Sequence, residues 1–483
     1  VRKQVDIEQT MAIIDKIKKD LYHREDLVIR PITVNDQTVY FIYLTNTVEL
    51  KSEDLQVFFI RLLVEKKRAK ETGLLQACLQ LGPSEKQQTP HDYLNTILNH
   101  QLLVVYDEAV RVNIGKNFHR AIGEVKTQEV VRGPREAFTE SVVVNQAMLR
   151  ERLKNKQLMF QSLTLGTETG TDVKVVYLAG VCKKEHLDDV LKRLKEAQIA
   201  AVLESHYLET LLETKVKTVF PTVYNTERPD VIAAGLLEGR IAVIVDGTPF
   251  VLLVPCLLFD FIQSSEDYYQ RSDIASAIRM LRVLSLFIAL LTPAVFIALT
   301  LFHQEVIPTA LLVSLAAQRE GIPFPALLEV LLMEITFELL REAGVRLPSA
   351  VGSAVSIVGA LVLGQAAVEA GIVSNAMVII VSITAISNFV FPSYDLAISI
   401  RLLRFVFILL ASLFGLVGIT LGLVLLVHHL TTLDSIGVSY LTGIAPYDET
   451  AHADLWVRKR LDKRQHLFTI RHVFKRDKVR KGV

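Results

Sequence analysis

Apolar and polar positions are spread unevenly along this chain of 483 residues. Residues 1–280 carry charge at the density of a water-soluble protein, with short apolar runs between polar turns. Residues 281–430 hold long stretches with hardly any charge. In the front region, DLVIRPITVNDQTVYFIYLTNTV (26–48) and LMFQSLTLGTETGTDVKVVYLAGVC (158–182) both read strand, polar turn, strand. Each precedes a charged helical segment, at 51–72 and 183–197, and each has a later strand pair, HQLLVVYDEAVRVNI (100–114) and GRIAVIVDGTPFVLLV (239–254). The Asp246-Gly247 step predicts a tight hairpin in the last of these. The pattern predicts an α+β region of two similar α/β subdomains, 26–125 and 126–262, after a helical extension at 1–25.

The apolar half predicts an α-helical transmembrane domain over 281–430, entered through a linker helix at 263–280 and left for a tail at 431–483. Four stretches, 281–301, 350–370, 373–391 and 405–427, are long enough to span the roughly 30 Å hydrocarbon core. Pro293 falls inside the first, where neighbouring helices can accommodate it. The second and third are separated by a few residues around Gly371 and form a tight hairpin. The segment 306–345 is expected to lie in the interface or to re-enter without crossing. Its glutamates Glu329, Glu334 and Glu338 are costly in a bilayer unless they face a cavity or the polar interface. They read either as a solvated face or as an acidic vestibule that concentrates cations at a pore mouth.

Charge sets the orientation. The tail from 456 onward has eleven Lys and Arg against two Asp and Glu, which places it in the cytosol. No apolar core of signal-peptide type opens the chain, so the front region is expected on the same side, which calls for an even number of spans. A net charge of +1 argues against nucleic acid as a partner. Cys78, Cys182 and Cys256 are widely spaced, suggest neither a disulfide framework nor a zinc site, and fit a reducing compartment. The chain lacks the phosphate-loop, dinucleotide, nucleophile-elbow and HExxH patterns, so no catalytic residue, cofactor or metal site is indicated and nothing argues for an enzyme. NTERPD (225–230) reads as a turn capped by Thr226 before a helix at 229–238.

Several longer runs carry a resemblance. They are RGPREAFTES (132–141), NTERPD, LLEGRIAVIVDGTPF (236–250), EDYYQR (266–271), PFPALLEVLLMEITFELLREAGVRLP (323–348), GQAAVEAGIVS (364–374) and FPSYDLAISIRLLRF (391–405). Through them the chain resembles the A subunits of spore germinant receptors, the GerA family of endospore-forming bacteria, from about residue 26 to 445. The first 25 residues and the basic tail resemble it least. The resemblance implies a multi-pass protein of the inner spore membrane that works with a permease-like B subunit and a lipoprotein C subunit. It also implies a homo-oligomeric ring, a pentamer, that conducts cations when nutrient is sensed. An accessory germination channel of the same family and a non-conducting scaffold for the receptor complex remain alternatives. A secondary transporter fits less well, because no inverted repeat is visible among the spans.

The helix expected at 350–370 carries two distinct faces. Gly352, Ser356, Gly359, Ala366 and Ala370 form a small-residue stripe suited to close helix packing. Val358, Val362, Gln365 and Glu369 recur at i, i+4, i+7 and i+11 on another face. Around a ring, that face supplies two valine constrictions, an amide ring and an acidic ring, the ingredients of a pore that closes by dewetting and favours cations.

Overall fold

Leu102, Leu103, Val104 and Val105 are apolar at every position because their strand is covered on both faces. The structure, a computed structural model, describes residues 2–21, 26–34, 37–45, 52–67, 73–79, 81, 83–87, 89–99, 101–106, 108–113, 123–125, 127–346, 362–447 and 454–458. The chain divides into two compact units, one of residues up to 213 with 223–255, the other of 214–222 with 256–462.

The first unit holds two five-stranded antiparallel sheets. In the first, β1 (Leu27–Val34), β2 (Gln37–Leu44), β3 (Ser84–Gln87), β4 (Leu102–Val105) and β5 (Ala109–Val112) lie in the order β1-β2-β4-β5-β3. Val39, Phe41, Leu102 and Val104 point to α2 (Ser52–Lys67) and α3 (Gly73–Cys78). The alternate residues Ile42, Leu44, Leu103 and Val105 meet α1 (Arg2–Asp20) and α4 (Pro90–Leu98). A short pair, β6 (Gly123–Glu124) and β7 (Glu136–Ala137), precedes the second sheet. That sheet contains β8 (Leu158–Leu165), β9 (Thr171–Leu178), β10 (Tyr224–Thr226), β11 (Ile241–Val245) and β12 (Val251–Val254), ordered β10-β12-β11-β9-β8. Read from the other edge this is the strand order of the first sheet. α5 (Val142–Arg152) and α8 (Pro229–Glu238) cover one face through Met148, Leu149, Ile232 and Leu236. α6 (Lys184–Glu196) packs on β8, and α7 (His206–Leu212) packs on α6. The buried Arg150 of α5 reaches back to the first sheet, donating to the Thr45 carbonyl at 2.8 Å and pairing with the buried Asp26 carboxylate.

Two local expectations change. The Asp246-Gly247 step is not a two-residue hairpin: β11 and β12 are joined by 246–250. Asp246 Oδ1 instead accepts the Val142 N–H at the start of α5, and the Gly247 N–H goes to the Glu140 carbonyl, so the turn is opened to cap a helix. Thr226 does not cap α8 directly. Its Oγ1 accepts the Arg228 N–H at 3.1 Å, and Arg228 itself occupies the cap position.

The second unit is helical: α9 (Ser272–Leu301), α10 (Thr309–Arg319), α11 (Ala326–Arg346), α12 (362–369), α13 (Asn375–Asn388) and α14 (Tyr394–Thr432), followed by a small hairpin of β13 (Asp434–Ser435) and β14 (Val438–Ser439). The expected linker helix at 263–280 is a tight turn at Ser265–Tyr268 followed by α9, which runs unbroken into the apolar stretch. Among the described residues α9 and α14 are long and apolar enough to cross a membrane, and α13 is a shorter apolar helix. The stretch 405–427 is not one straight helix. Gly415 takes φ 59° and ψ −140°, which side chains disfavour, and the chain reverses there. A Cβ on Gly418 would stand 2.2 Å from the Leu410 carbonyl oxygen, so the returning arm presses directly on the first. The arms, 394–414 and 416–432, are about 31 and 25 Å long.

All three cysteines are buried and unpaired with one another. Burial pushes the Cys182 thiol up to about 12 and the Cys78 thiol further still. Native protein should therefore resist thiol reagents near neutral pH from either side of a membrane, and labelling should report unfolding. Arg150→Ala leaves Asp26 without its main cation, a loss of about 3–5 kcal/mol for a broken buried pair. The temperature at which Cys78 and Cys182 become reactive should fall by roughly 6–12 °C. An unchanged labelling temperature would show that the pair does not join the subdomains.

Candidate functional site: buried charges among apolar helices

Pro293 lies in the middle of α9 and has no N–H to give the Ala289 carbonyl four residues earlier. That carbonyl accepts from Arg404 Nε of α14 at 2.7 Å instead. Arg404 Nη1 donates to Glu334 Oε2 of α11 at 2.6 Å, so one guanidinium ties three helices together. Arg404 is 2% exposed and Glu334 1%. Three residues away, Arg401 Nη1 meets Glu338 Oε2 at 3.1 Å, and Arg341 Nη2 reaches the same oxygen at 2.7 Å. The order of the two pairs, 334 with 404 and 338 with 401, makes α11 antiparallel to the first arm of α14. Glu329 Oε1 accepts the Ser374 N–H at 2.6 Å and its hydroxyl at 2.5 Å, while Arg319 Nε stands 3.9 Å from the other oxygen.

These helices are inside out by the standard of a soluble protein. α11 buries Glu329 and Glu334 and exposes Leu328, Leu332, Ile335 and Leu339. The first arm of α14 buries Arg401 and Arg404 and exposes Leu402, Val406, Leu409 and Leu413. Burying a charge is costly, and exposing leucine to water gains nothing, so this arrangement suits an apolar solvent. The acidic vestibule expected from Glu329, Glu334 and Glu338 is therefore not a free acidic surface. Two of the carboxylates are interior, and the third lies between two guanidiniums, because arginine neutralises them where lipid cannot. Of the solvated acidic face expected of an interfacial helix, Glu342 alone among these carboxylates is well exposed, and it pairs with Arg346.

Of the expected pore-lining set, Val362, Gln365 and Glu369 lie on the exposed side of α12, with Gln365 Nε2 donating to Glu369 Oε1 at 2.9 Å. Val358, Gly352, Ser356 and Gly359 lie outside the described residues. Ala366 and Ala370 of the small-residue stripe are exposed. The contact with α13 is made instead by the buried Gly364, whose added Cβ would sit 3.6 Å from Val378. At the start of α9, Asp267 accepts from Arg279 Nε and Arg282 Nη1 at 2.9 Å, and Arg279 Nη1 donates to the Asp454 carbonyl at 2.6 Å. That cluster fastens 454–458 to the helix start. Sequence reasoning missed it because its members are 187 positions apart at the extremes, Asp267 to Asp454. Among the described residues no group of three or more His, Cys, Asp or Glu is placed to hold a metal ion. NTERPD is structural: the buried Arg228 pairs with Asp230 at 2.8 Å and donates to the Gln128 and Pro134 carbonyls, while Glu227 Oε1 accepts the Thr127 hydroxyl.

The family described as Bacillus/Clostridium GerA spore germination protein matches residues 15–467. Spore germination protein KA of Bacillus subtilis (strain 168) is 45% identical over 482 residues, 97% of this chain and 87% of that one. A protein of the same organism named uncharacterized membrane protein YfkQ is 50% identical over 353 residues, 73% of this chain and 69% of that one. Among solved structures, the N-terminal domain of the A subunit of the Bacillus megaterium spore germinant receptor GerK3 is 31% identical, with a TM-score of 0.39, covering 51% of this chain and 94% of that one. The chain belongs to the GerA spore germination family.

The three-helix tie makes a graded prediction. Arg404→Leu strands both the Glu334 carboxylate and the Ala289 carbonyl and should cost about 3–5 kcal/mol. Adding Glu334→Leu removes the stranded charge and should recover part of that. Adding Pro293→Ala restores the missing backbone donor and should recover about 1–3 kcal/mol more. Thermal stability of the detergent-solubilised chain should rise in that order. Equal stability for the single and triple variants would show that the tie is not what holds these helices.

Proposed function

We propose that this chain is an A subunit of a spore germinant receptor whose helical unit crosses the inner spore membrane and assembles into a nutrient-gated cation channel. The observation that carries the reading is the surface of α12. In the same unit α11 and α14 turn leucine outward and charge inward, yet α12 leaves Gln365 and Glu369 on the outside. Lipid disfavours that amide and carboxylate, whereas a water-filled path lined by copies of α12 accommodates both. In a pentameric ring, Val362 and Val358 supply the constrictions that dry and close, and Glu369 supplies an acidic ring selective for cations.

On this reading α11 spans with its buried carboxylates paired, rather than lying in the interface. Its length, 326–346, is about 31 Å. The permease-like B subunit and the lipoprotein C subunit are the partners, and the sheet-bearing unit and basic tail are cytosolic. An accessory channel of the same family would use the same pore without its own nutrient sensor. A scaffold would conduct nothing.

Reconstituted into liposomes, the chain alone or with its receptor partners should carry potassium flux. Val362→Ala should widen the constriction and raise flux in the absence of nutrient, and Glu369→Gln should lower cation preference, most visibly at low salt where screening is weakest. Spores carrying Val362→Ala should lose dormancy. Normal assembly with no flux in any variant would support the scaffold and sink the channel.

A further inference from the structure

The reversal at Gly415 leaves a slot between the two arms of α14. Leu403, Val406 and Leu410 of the first arm and Leu425 and Leu426 of the second line an open groove of about 480 Å³, with Val406 and Leu425 exposed at its mouth. That volume lies within the range of small-ligand sites. The slot is apolar along its length and polar only where the segment 217–220 closes it. That segment is held to both arms: the Val219 carbonyl accepts the Ser399 hydroxyl, and Thr218 Oγ1 lies 3.0 Å from His429 Nε2. Lys217 stands exposed at the rim beside the partly exposed His429, with Lys215 and His428 exposed close by in the sequence. The acid at this end of the second arm, Asp434, is already engaged by the Thr214 hydroxyl and the Gly437 N–H.

An apolar groove with a basic rim fits a lipid better than any compact polar solute. We propose that it binds one anionic phospholipid, an acyl chain between the arms and the headgroup phosphate at Lys217 and His429. The proposal rests on the helices lying in a bilayer. It goes further in giving α14 a bound lipid: the two arms press on each other at Gly418 and Gly422, and the acyl chain fills the groove that runs from there to Lys217 and His429. A membrane whose anionic lipid content changes would thereby change how firmly the second arm is seated.

Brominated phospholipids quench tryptophan on contact, which gives a direct test. In full-length Trp456→Phe protein, one reporter is placed in the slot at the less exposed Leu426 (Leu426→Trp) and another on the exposed face of α9 (Phe287→Trp). Each is reconstituted with brominated phosphatidylglycerol or phosphatidylcholine. The slot reporter should favour the anionic lipid about fivefold, one lysine's worth of surface attraction, and Lys217→Gln should bring the preference to unity. The α9 reporter should be quenched equally by both lipids, and free phosphate should not relieve quenching in the slot. If the α9 reporter is quenched while the slot reporter shows no anionic preference, or keeps it in Lys217→Gln, the lipid site is overturned. Relief by free phosphate would show an anion site without a lipid and also overturn it. If neither reporter is quenched, the bilayer reading itself fails.

Discussion

A carbonyl without a donor organises the helical unit. Pro293 cannot bond to Ala289, and in a water-poor interior that loss must be made good from elsewhere. Arg404 does so with one nitrogen, and a guanidinium brought that deep needs an anion, which Glu334 provides. The proline in α9, the arginine in α14 and the glutamate in α11 are thus one requirement written three times along the chain. Once they meet, the polar faces of these helices are committed to the interior, and leucine, isoleucine and valine are left to the outside. The antiparallel order of α11 and the first α14 arm follows, because Arg401 then falls beside Glu338.

Much of the front region was legible in the sequence because strand alternation and turn chemistry are local. The strand pairs at 26–48, 100–114, 158–182 and 239–254 all contain hairpins or adjacent antiparallel strands of the structure, and helix 229–238 begins and ends where its proline and glycine place it. What could not be read was the use of a turn by a distant partner. Asp246 looks like half of a hairpin turn until Val142, 104 residues earlier, takes its carboxylate. The helical unit failed to read for a similar reason. Hydropathy marks the apolar stretches but cannot pair Glu334 with Arg404, 70 positions away, so the carboxylates read as a solvated face or a vestibule. Gly415 sits among glycines common in membrane helices, and only its backbone angles reveal a reversal.

The two sheets of the front unit share a strand order yet differ in what they hold. The first is enclosed by helices on both faces and closes on apolar contacts such as the edge-to-face rings of Phe41, Phe58 and Phe59. The second places buried ions at its edge, where Glu227, Arg228 and Asp230 gather the backbone of 127–138 onto β10. Buried pairs of this kind are weak sources of stability compared with apolar packing, but each tolerates few alternative arrangements. The family resemblance in RGPREAFTES and NTERPD falls on the segments that those ions connect.

Interior charge pairing also decides what the surface can mean. If the helices buried their leucines, an exposed glutamine and glutamate on α12 would be ordinary. α11 and α14 set Arg341, Arg401 and Arg404 on half-buried or interior carboxylates and a carbonyl, and among the described residues Glu369 pairs with Gln365 while both remain outside. A bilayer leaves such a face two resting places, the headgroup boundary or a wet surface shared with other copies. Glu369 lies within a turn of Gly371, close enough to a helix end for the boundary. Gln365 lies one turn before it, beside the 55% exposed Val362.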